Sequence, residues 1–165
     1  MNETFYTTLD SPVGSLLLAG DGQALLRIGF PTGKTALKPG SDWLRRNGLF
    51  RESIAQLKAY FAGELQRFNL PLAPQGTPFQ QQVWHALREI PYGETRSYGD
   101  IARRIGKPAA SRAVGAANGL NPIPIIIPCH RVIGSSGQLV GFGGGLPTKK
   151  KLLMLEQSHI PFTLG

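Results

Sequence analysis

The chain holds a single cysteine, three histidines and only ten acidic residues among 165. One cysteine rules out an intramolecular disulfide and a cysteine-based metal cluster, and it fits a reducing compartment. No run is long and apolar enough to cross a bilayer as a helix. The opening Met1-Asn2-Glu3-Thr4 has neither a basic stretch nor an apolar one behind it, so no signal peptide is expected. The expectation is a cytoplasmic (intracellular) protein.

The shortage of acids has a counterpart. Eighteen basic residues leave a formal net charge of +8. On so short a chain this favours an anionic partner, whether DNA, RNA or an acidic membrane, over a surface that is basic only for solubility. With 41% hydrophobic residues the chain can bury one good core or two small ones. Its 21 glycines and 13 prolines are scattered, which predicts tight turns rather than disorder.

Residues 4–30 read as a three-stranded meander, with turns at Asp10-Ser11-Pro12-Val13-Gly14 and Gly20-Asp21-Gly22. Residues 31–48 read as a loop. Residues 51–61 form a helix with Ile54, Leu57 and Phe61 on one face and Gly63 to end it. Pro71 to Gly76 reads as a linker, dividing the chain into units 1–73 and 77–165. Thr77-Pro78-Phe79-Gln80 is a capping-box start with proline at the first helical position, and Phe79, Val83, Trp84 and Leu87 make the apolar face. A second cap, Ser97 with Asp100, opens a helix lined by Tyr98, Ile101, Ala102 and Ile105. After Lys107-Pro108 a small-residue helix runs from Ala109 to Asn118. Two short helices joined this tightly suggest a helix-turn-helix. Asn121 to Arg131 carries three prolines, which argue against both helix and central strand. That segment reads as a rigid apolar delivery of Cys129 to a fixed place. A flexible glycine-rich stretch follows (residues 134–145), then a last helix from about Pro147, with Lys149-Lys150-Lys151 as its solvated start.

A lone cysteine is ordinarily a small buried hydrophobe, so its context has to argue for chemistry. Cysteine attacks as the thiolate, and a free thiol titrates at about 8.5. His130 is next in sequence, and adjacent side chains usually point apart, so a bridging water is the expected link. A carboxylate can then orient the imidazole, and Glu156 is the best placed of few acids in this half.

Pro128-Cys129-His130-Arg131-Val132-Ile133 resembles the active-site motif of the O6-alkylguanine-DNA alkyltransferases. The resemblance covers nearly the whole chain. It takes in Phe79-Gln80-Gln81-Gln82-Val83-Trp84, Ile90-Pro91-Tyr92-Gly93-Glu94, Ser111-Arg112-Ala113-Val114-Gly115, Asn121-Pro122 and Gly143-Gly144-Gly145, and it is looser in the N-terminal half. It implies an α+β fold: a small N-terminal α/β domain with an antiparallel sheet, and a helical, winged-helix-like C-terminal domain whose helix-turn-helix enters the minor groove. It also implies a damaged nucleotide flipped out beside the cysteine, since an O6 substituent within the stack is hard to reach.

The resemblance makes Cys129 the nucleophile and permanent alkyl acceptor. His130 takes the thiol proton through water, Glu156 orients His130, and Asn121 braces the turn before the active-site segment. Tyr98 sits beside the flipped base with its hydroxyl toward N3. Ser111 and Arg112 open the recognition helix, with Arg112 filling the gap left by the base. The carbonyls of Cys129 and Val132 accept from the guanine amino group, and the Gly143 amide donates to O6. Many relatives have tyrosine where this chain has Phe142. That substitution, with the glycines beside it, predicts a pocket that tolerates alkyl groups larger than methyl. The small residues Ala109, Ala110, Ala113, Gly115, Ala116 and Ala117 suit a helix pressed into a narrow groove.

No cofactor is implied. Some relatives hold a structural zinc in the N-terminal domain, but no cysteine or histidine precedes His85 here, so no metal is expected. The partner implied is double-stranded DNA containing O6-alkylguanine, with no membrane, bound by a monomer whose cooperativity on DNA is open. Two other readings compete. A non-repairing lesion-binding protein of the same fold would lack the acceptor cysteine. A Cys-His hydrolase would turn over and would have no use for the basic charge or for Arg112.

Overall fold

A computed structural model describes residues 3–33 and 36–160. Residues 34 and 35 of the expected loop, and the outermost residues of both expected units (1–2 and 161–165), lie outside them.

Strands β1 (Phe5–Ser11), β2 (Gly14–Gly20) and β3 (Leu25–Gly29) follow one another as antiparallel neighbours. β2 is central, and its run from Leu16 to Gly20 is buried at every position, which is why it reads as continuous rather than alternating. Gly14 turns the first hairpin at φ +100°, a conformation that glycine adopts without steric cost. In the second turn the Asp21 carboxylate accepts from the amides of Gln23 and Ala24.

The sheet is not wholly antiparallel. A two-residue strand, β4 (Leu44–Arg45), lies parallel to the outer edge of β1, inside the stretch read as a loop. Two residues are too few to carry an alternation signal. The strand is held by backbone bonds from Leu44 to Thr4 and from Arg46 to Tyr6. A 3-10 turn, Asn47–Phe50, then leads into α1 (Arg51–Phe61). The inward face of α1 is shifted from the expected one. Ser53, Leu57 and Tyr60 are buried, while Ile54 and Phe61 are only half-buried.

The other edge of the sheet is covered at both ends. Leu25 exchanges backbone bonds with Pro71 and Ala73, so the start of the linker is bound rather than loose, and the Ile28 amide donates to the Pro122 carbonyl. β3 therefore touches the segment that carries Cys129.

Helix α2 (Pro78–Arg88) begins with the full capping box of Thr77 and Gln80. Ser97 and Asp100 cap α3 (Tyr98–Arg104) in the same reciprocal way, just after the short strand β5 (Arg96–Ser97). Helix α4 (Ser111–Gly119) follows the turn at Lys107. The buried Trp84 indole donates to the Ala117 carbonyl at 2.9 Å and pins α4 to α2. Strand β6 (Val132–Ile133) pairs with β5 in parallel, tying the active-site segment to the start of α3. Helix α5 (Leu146–Ser158) closes the described chain. The result is the expected α+β fold with a helical, winged-helix-like second half. One apolar cluster runs through both halves, from Leu16, Ile28, Leu57 and Tyr60 to Trp84, Ile123, Ile127 and Leu152.

Candidate active site

The segment between α4 and β6 is built to hold one side chain still. The Asn121 side-chain amide donates to the Ile127 carbonyl at 2.7 Å, and its oxygen accepts from the Ile123 amide at 3.0 Å. Asn121 therefore closes the proline-rich turn on itself. Ile125 adopts φ +75°, an outlier for a β-branched residue. It is 1% exposed, so packing holds the strain in place. A short 3-10 turn, Cys129–Arg131, presents the thiol, itself buried.

Behind the cysteine stands Glu156, reaching in from α5. Its Oε2 accepts from His130 Nε2 at 2.6 Å, from the Tyr60 hydroxyl at 2.6 Å and from Arg131 Nη2 at 3.1 Å. Its Oε1 accepts from Arg131 Nε at 2.8 Å and from the Gly93 amide at 3.2 Å. Arg131 completes the set by donating to the Ile90 carbonyl at 2.7 Å. Burial works against the Glu156 charge, but His130 and Arg131 outweigh it and hold the carboxyl well below its usual range. Burial pushes the His130 imidazole down, against the pull of Glu156. The stable assignment is therefore a neutral His130 beside a Glu156 carboxylate neutralised by Arg131. A carboxylate only accepts, so Nε2 carries the ring proton. Nδ1 is buried and has no partner among the described residues, which leaves it as the basic nitrogen.

Burial also pushes the Cys129 thiol up to about 11, against an Asn121 hydrogen bond and the Lys149 charge. At neutral pH the sulfur is a thiol, so any nucleophilic attack by it needs a base.

Phe142 and Gly143 lie in front of the cysteine. With Phe30, Asn118, Gly144 and Cys129 they line a cleft of about 10 Å³, room for one water-sized group. At Gly144 the missing side chain leaves no vacancy. A Cβ on Gly144 would stand 2.6 Å from the Phe30 ring and 2.9 Å from that of Phe142, so the backbone takes up the space that side chains would have used. The Tyr98 hydroxyl donates to the Val140 carbonyl at 3.1 Å; the ring is half-buried, and burial raises its phenol. Ser111 and Arg112 begin α4, where Arg112, Ala113, Ala116 and Gly119 are exposed along one side. The Cys129 carbonyl already accepts from the Val132 amide and from the Asn118 side chain. The Val132 carbonyl accepts from Lys149 at 2.6 Å, which leaves it one lone pair.

Lys149 is not part of a solvated helix start. It is wholly buried, and its ammonium group donates to the carbonyls of Val132 and Val140, the latter at 2.8 Å. Burial pulls its pKa down to about 8. The spacing holds the signal: positions 149, 152 and 156 share one helix face, and all three are buried. Tyr60 has no comparable signal, because its partner lies 96 residues away. Among the described residues no group of three or more His, Cys, Asp or Glu could hold a metal ion, and no helix is long and apolar enough to cross a membrane.

Comparison with known proteins fits both halves. Residues 4–74 match the model described as 6-O-methylguanine DNA methyltransferase, ribonuclease-like domain, and residues 78–158 match that family's DNA binding domain. A methylated-DNA–protein-cysteine methyltransferase of Methanosarcina acetivorans is 54% identical over 93% of this chain and 99% of its own length. The protein of the same name from Mycobacterium tuberculosis H37Rv is 54% identical, over 96% of each chain. The crystal structure described as Mycobacterium tuberculosis OGT in complex with DNA superposes with a TM-score of 0.88 at 54% identity, covering 95% of each chain. With both halves matched in order and at this identity, the chain belongs to the 6-O-methylguanine DNA methyltransferase family.

Proposed function

We propose that the protein repairs DNA by direct reversal, carrying an alkyl group from the O6 of guanine in double-stranded DNA onto Cys129, once per molecule. The observation that carries this reading is the state of His130. Glu156 fixes its Nε2 proton, its Nδ1 is free to accept, and it adjoins the chain's one thiol.

The Cys129 Sγ–carbon bond forms as the carbon–O6 bond breaks, and the electron pair of the broken bond stays on the base. The thiol proton leaves through water to His130 Nδ1. The departing guanine carries charge that donors can spread: the Tyr98 hydroxyl at N3, released from Val140, and the Gly143 amide at O6. The proton given up by the thiol ends on the base, so the sum is one thioether and one guanine. The free lone pair on Val132 accepts from the guanine amino group. Phe142 is the ring wall, and Asn121 keeps the segment in place. On this reading Arg112 stacks in the gap left by the flipped base, Ser111 contacts the backbone beside it, and α4 lies in the minor groove. Residues 1–73 form a supporting unit and residues 77–165 the DNA-binding and acceptor unit, a division supported by the two matched ranges and the linker between them. The protein acts as a cytoplasmic monomer without a cofactor.

A thioether has no easy leaving route, so repair stops at one lesion per protein. A lesion-binding protein would take up nothing, and a hydrolase would turn over. The test is intact mass after mixing the protein with a duplex containing one O6-methylguanine, beside Cys129→Ala. The expected result is one methyl on the wild type, mapped to Cys129 and saturating at one per molecule. Tight lesion binding without a mass gain would overturn the reading.

A further inference from the structure

The N-terminal half reaches the front of the acceptor site through two residues, Phe30 and Gly33. Phe30 follows β3 directly. It is 2% exposed, and its ring meets that of Phe142 with centroids 5.6 Å apart. It also closes one side of the cleft that holds Cys129. Three residues on, Gly33 adopts φ +96°, and a Cβ there would stand 2.4 Å from the Gly143 carbonyl oxygen and 3.2 Å from the Gly144 α-carbon. The stretch 142–144 is thus pressed against a ring on one side and a glycine backbone on the other. β3 itself is fixed by the central strand β2 and by the Ile28–Pro122 backbone bond, so this backing cannot yield independently of the active-site segment.

A cleft of about 10 Å³ admits neither a guanine nor a bulky alkyl group, so residues 141–145 must shift when a base enters. They can shift outward, toward the exposed side where Gly141 lies, but not inward, where Phe30 and Gly33 stand. Cys129 and Phe30 line the same cleft, so space for an alkyl group at the sulfur is limited from the N-terminal side. We propose that Phe30 is a specificity-determining residue, the fixed wall that limits the size of the alkyl group Cys129 can accept, with Gly33 setting how close the 142–144 backbone lies to that wall. This rests on the alkyl-transfer reading above, and it assigns to the N-terminal half a part in choosing the lesion rather than only in support.

The test is a ratio. Wild type, Phe30→Leu and Phe30→Ala are each mixed with duplexes carrying O6-methylguanine or O6-benzylguanine, and alkyl uptake is followed by intact mass. The same protein sample meets both lesions, so any loss of folded protein lowers both rates and cancels in the ratio. The expected result is a benzyl-to-methyl rate ratio raised at least about tenfold in Phe30→Ala, corresponding to ~1.4 kcal/mol of differential transition-state stabilisation, with Phe30→Leu in between. If Phe30→Ala does not fold, a ratio raised in Phe30→Leu carries the same conclusion. A ratio within about twofold of wild type in the variants that fold overturns the proposal while leaving alkyl transfer intact. A wild type that takes up no methyl at all overturns both.

Discussion

Behind Cys129, one carboxylate takes five hydrogen bonds from His130, Tyr60, Arg131 and Gly93. In front, Arg112, Ala113, Ala116 and Gly119 of α4 stand in solvent, and the Tyr98 hydroxyl is occupied by a backbone carbonyl. The two sides meet different demands. On the proposed reading the rear presents a base in one tautomer and one orientation before any substrate arrives, and a buried network that bonds both oxygens of the Glu156 carboxylate and leaves only His130 Nδ1 open holds such geometry. The front must exchange partners when DNA arrives, so its groups make few buried bonds that would have to be broken. If the proposed roles hold, stability is concentrated behind the sulfur and recognition in front of it, and the two separate by mutation.

The sharpest break is Glu156→Gln. It removes the negative charge that neutralises Arg131 and leaves a buried guanidinium without its counter-ion, a change that costs about 3–5 kcal/mol. Denaturant unfolding at neutral pH is expected to show a loss of that size, together with slow methyl uptake because His130 is no longer fixed. The pH dependence has a definite sign. The Glu156 carboxyl is held below its usual range in the folded protein, so its contribution is present above the ordinary carboxylate pKa and is lost as pH falls through the lower folded value. The gap between wild type and variant should therefore close in acid. A loss under about 1 kcal/mol at pH 7, the scale of an exposed ion pair, would mean that the rear is not the stable side.

A smaller effect separates neighbours on α5. Lys149→Met leaves the Val132 carbonyl buried without its charged donor, at a cost of about 2 kcal/mol. Lys150→Met, on the exposed side of the same helix, should change stability by no more than about 0.5 kcal/mol. Comparing the two unfolding midpoints checks this, and equal midpoints would show that the Lys149 bonds contribute nothing net.

The same division governs what could be read from the sequence. The caps at Thr77 and Ser97 are local patterns, and each formed where its residues placed it; the second helix of the turn motif starts at Ser111, two residues later than its small-residue run predicts. Glu156 was legible as a scarce acid in the right half. Tyr60 carries no such signal, because nothing within a few residues of it points to a partner on α5; Arg131 follows the histidine paired with Glu156, but its residue type alone does not separate a buried ion pair from a basic surface. Three consecutive lysines read as a solvated helix start, yet Lys149 shares the buried helix face of Leu152 and Glu156. Gly144 shows a related limit: its missing side chain reads as space, but the Phe30 ring packs against its backbone, and Phe30 comes from the other half of the chain. Local chemistry was legible, whereas convergence of distant segments was not.

The smallest expected change in stability belongs to the front, and it sharpens the contrast most. Arg112 is exposed near the start of α4, so Arg112→Ala should leave the unfolding free energy within about 0.5 kcal/mol of wild type. Its effect should appear only where a flipped base leaves a gap. Extruding a base costs a few kcal/mol, and a guanidinium stacked in the vacancy returns part of it. Losing ~1.4 kcal/mol of that return slows methyl uptake from a duplex about tenfold. A single-stranded trinucleotide carrying the same lesion has no vacancy to fill, so its rate should be unchanged. Measuring both rates on one preparation decides the matter: a variant slowed equally on both substrates would place Arg112 in general backbone attraction, while one slowed on the duplex alone separates holding DNA from extruding the base.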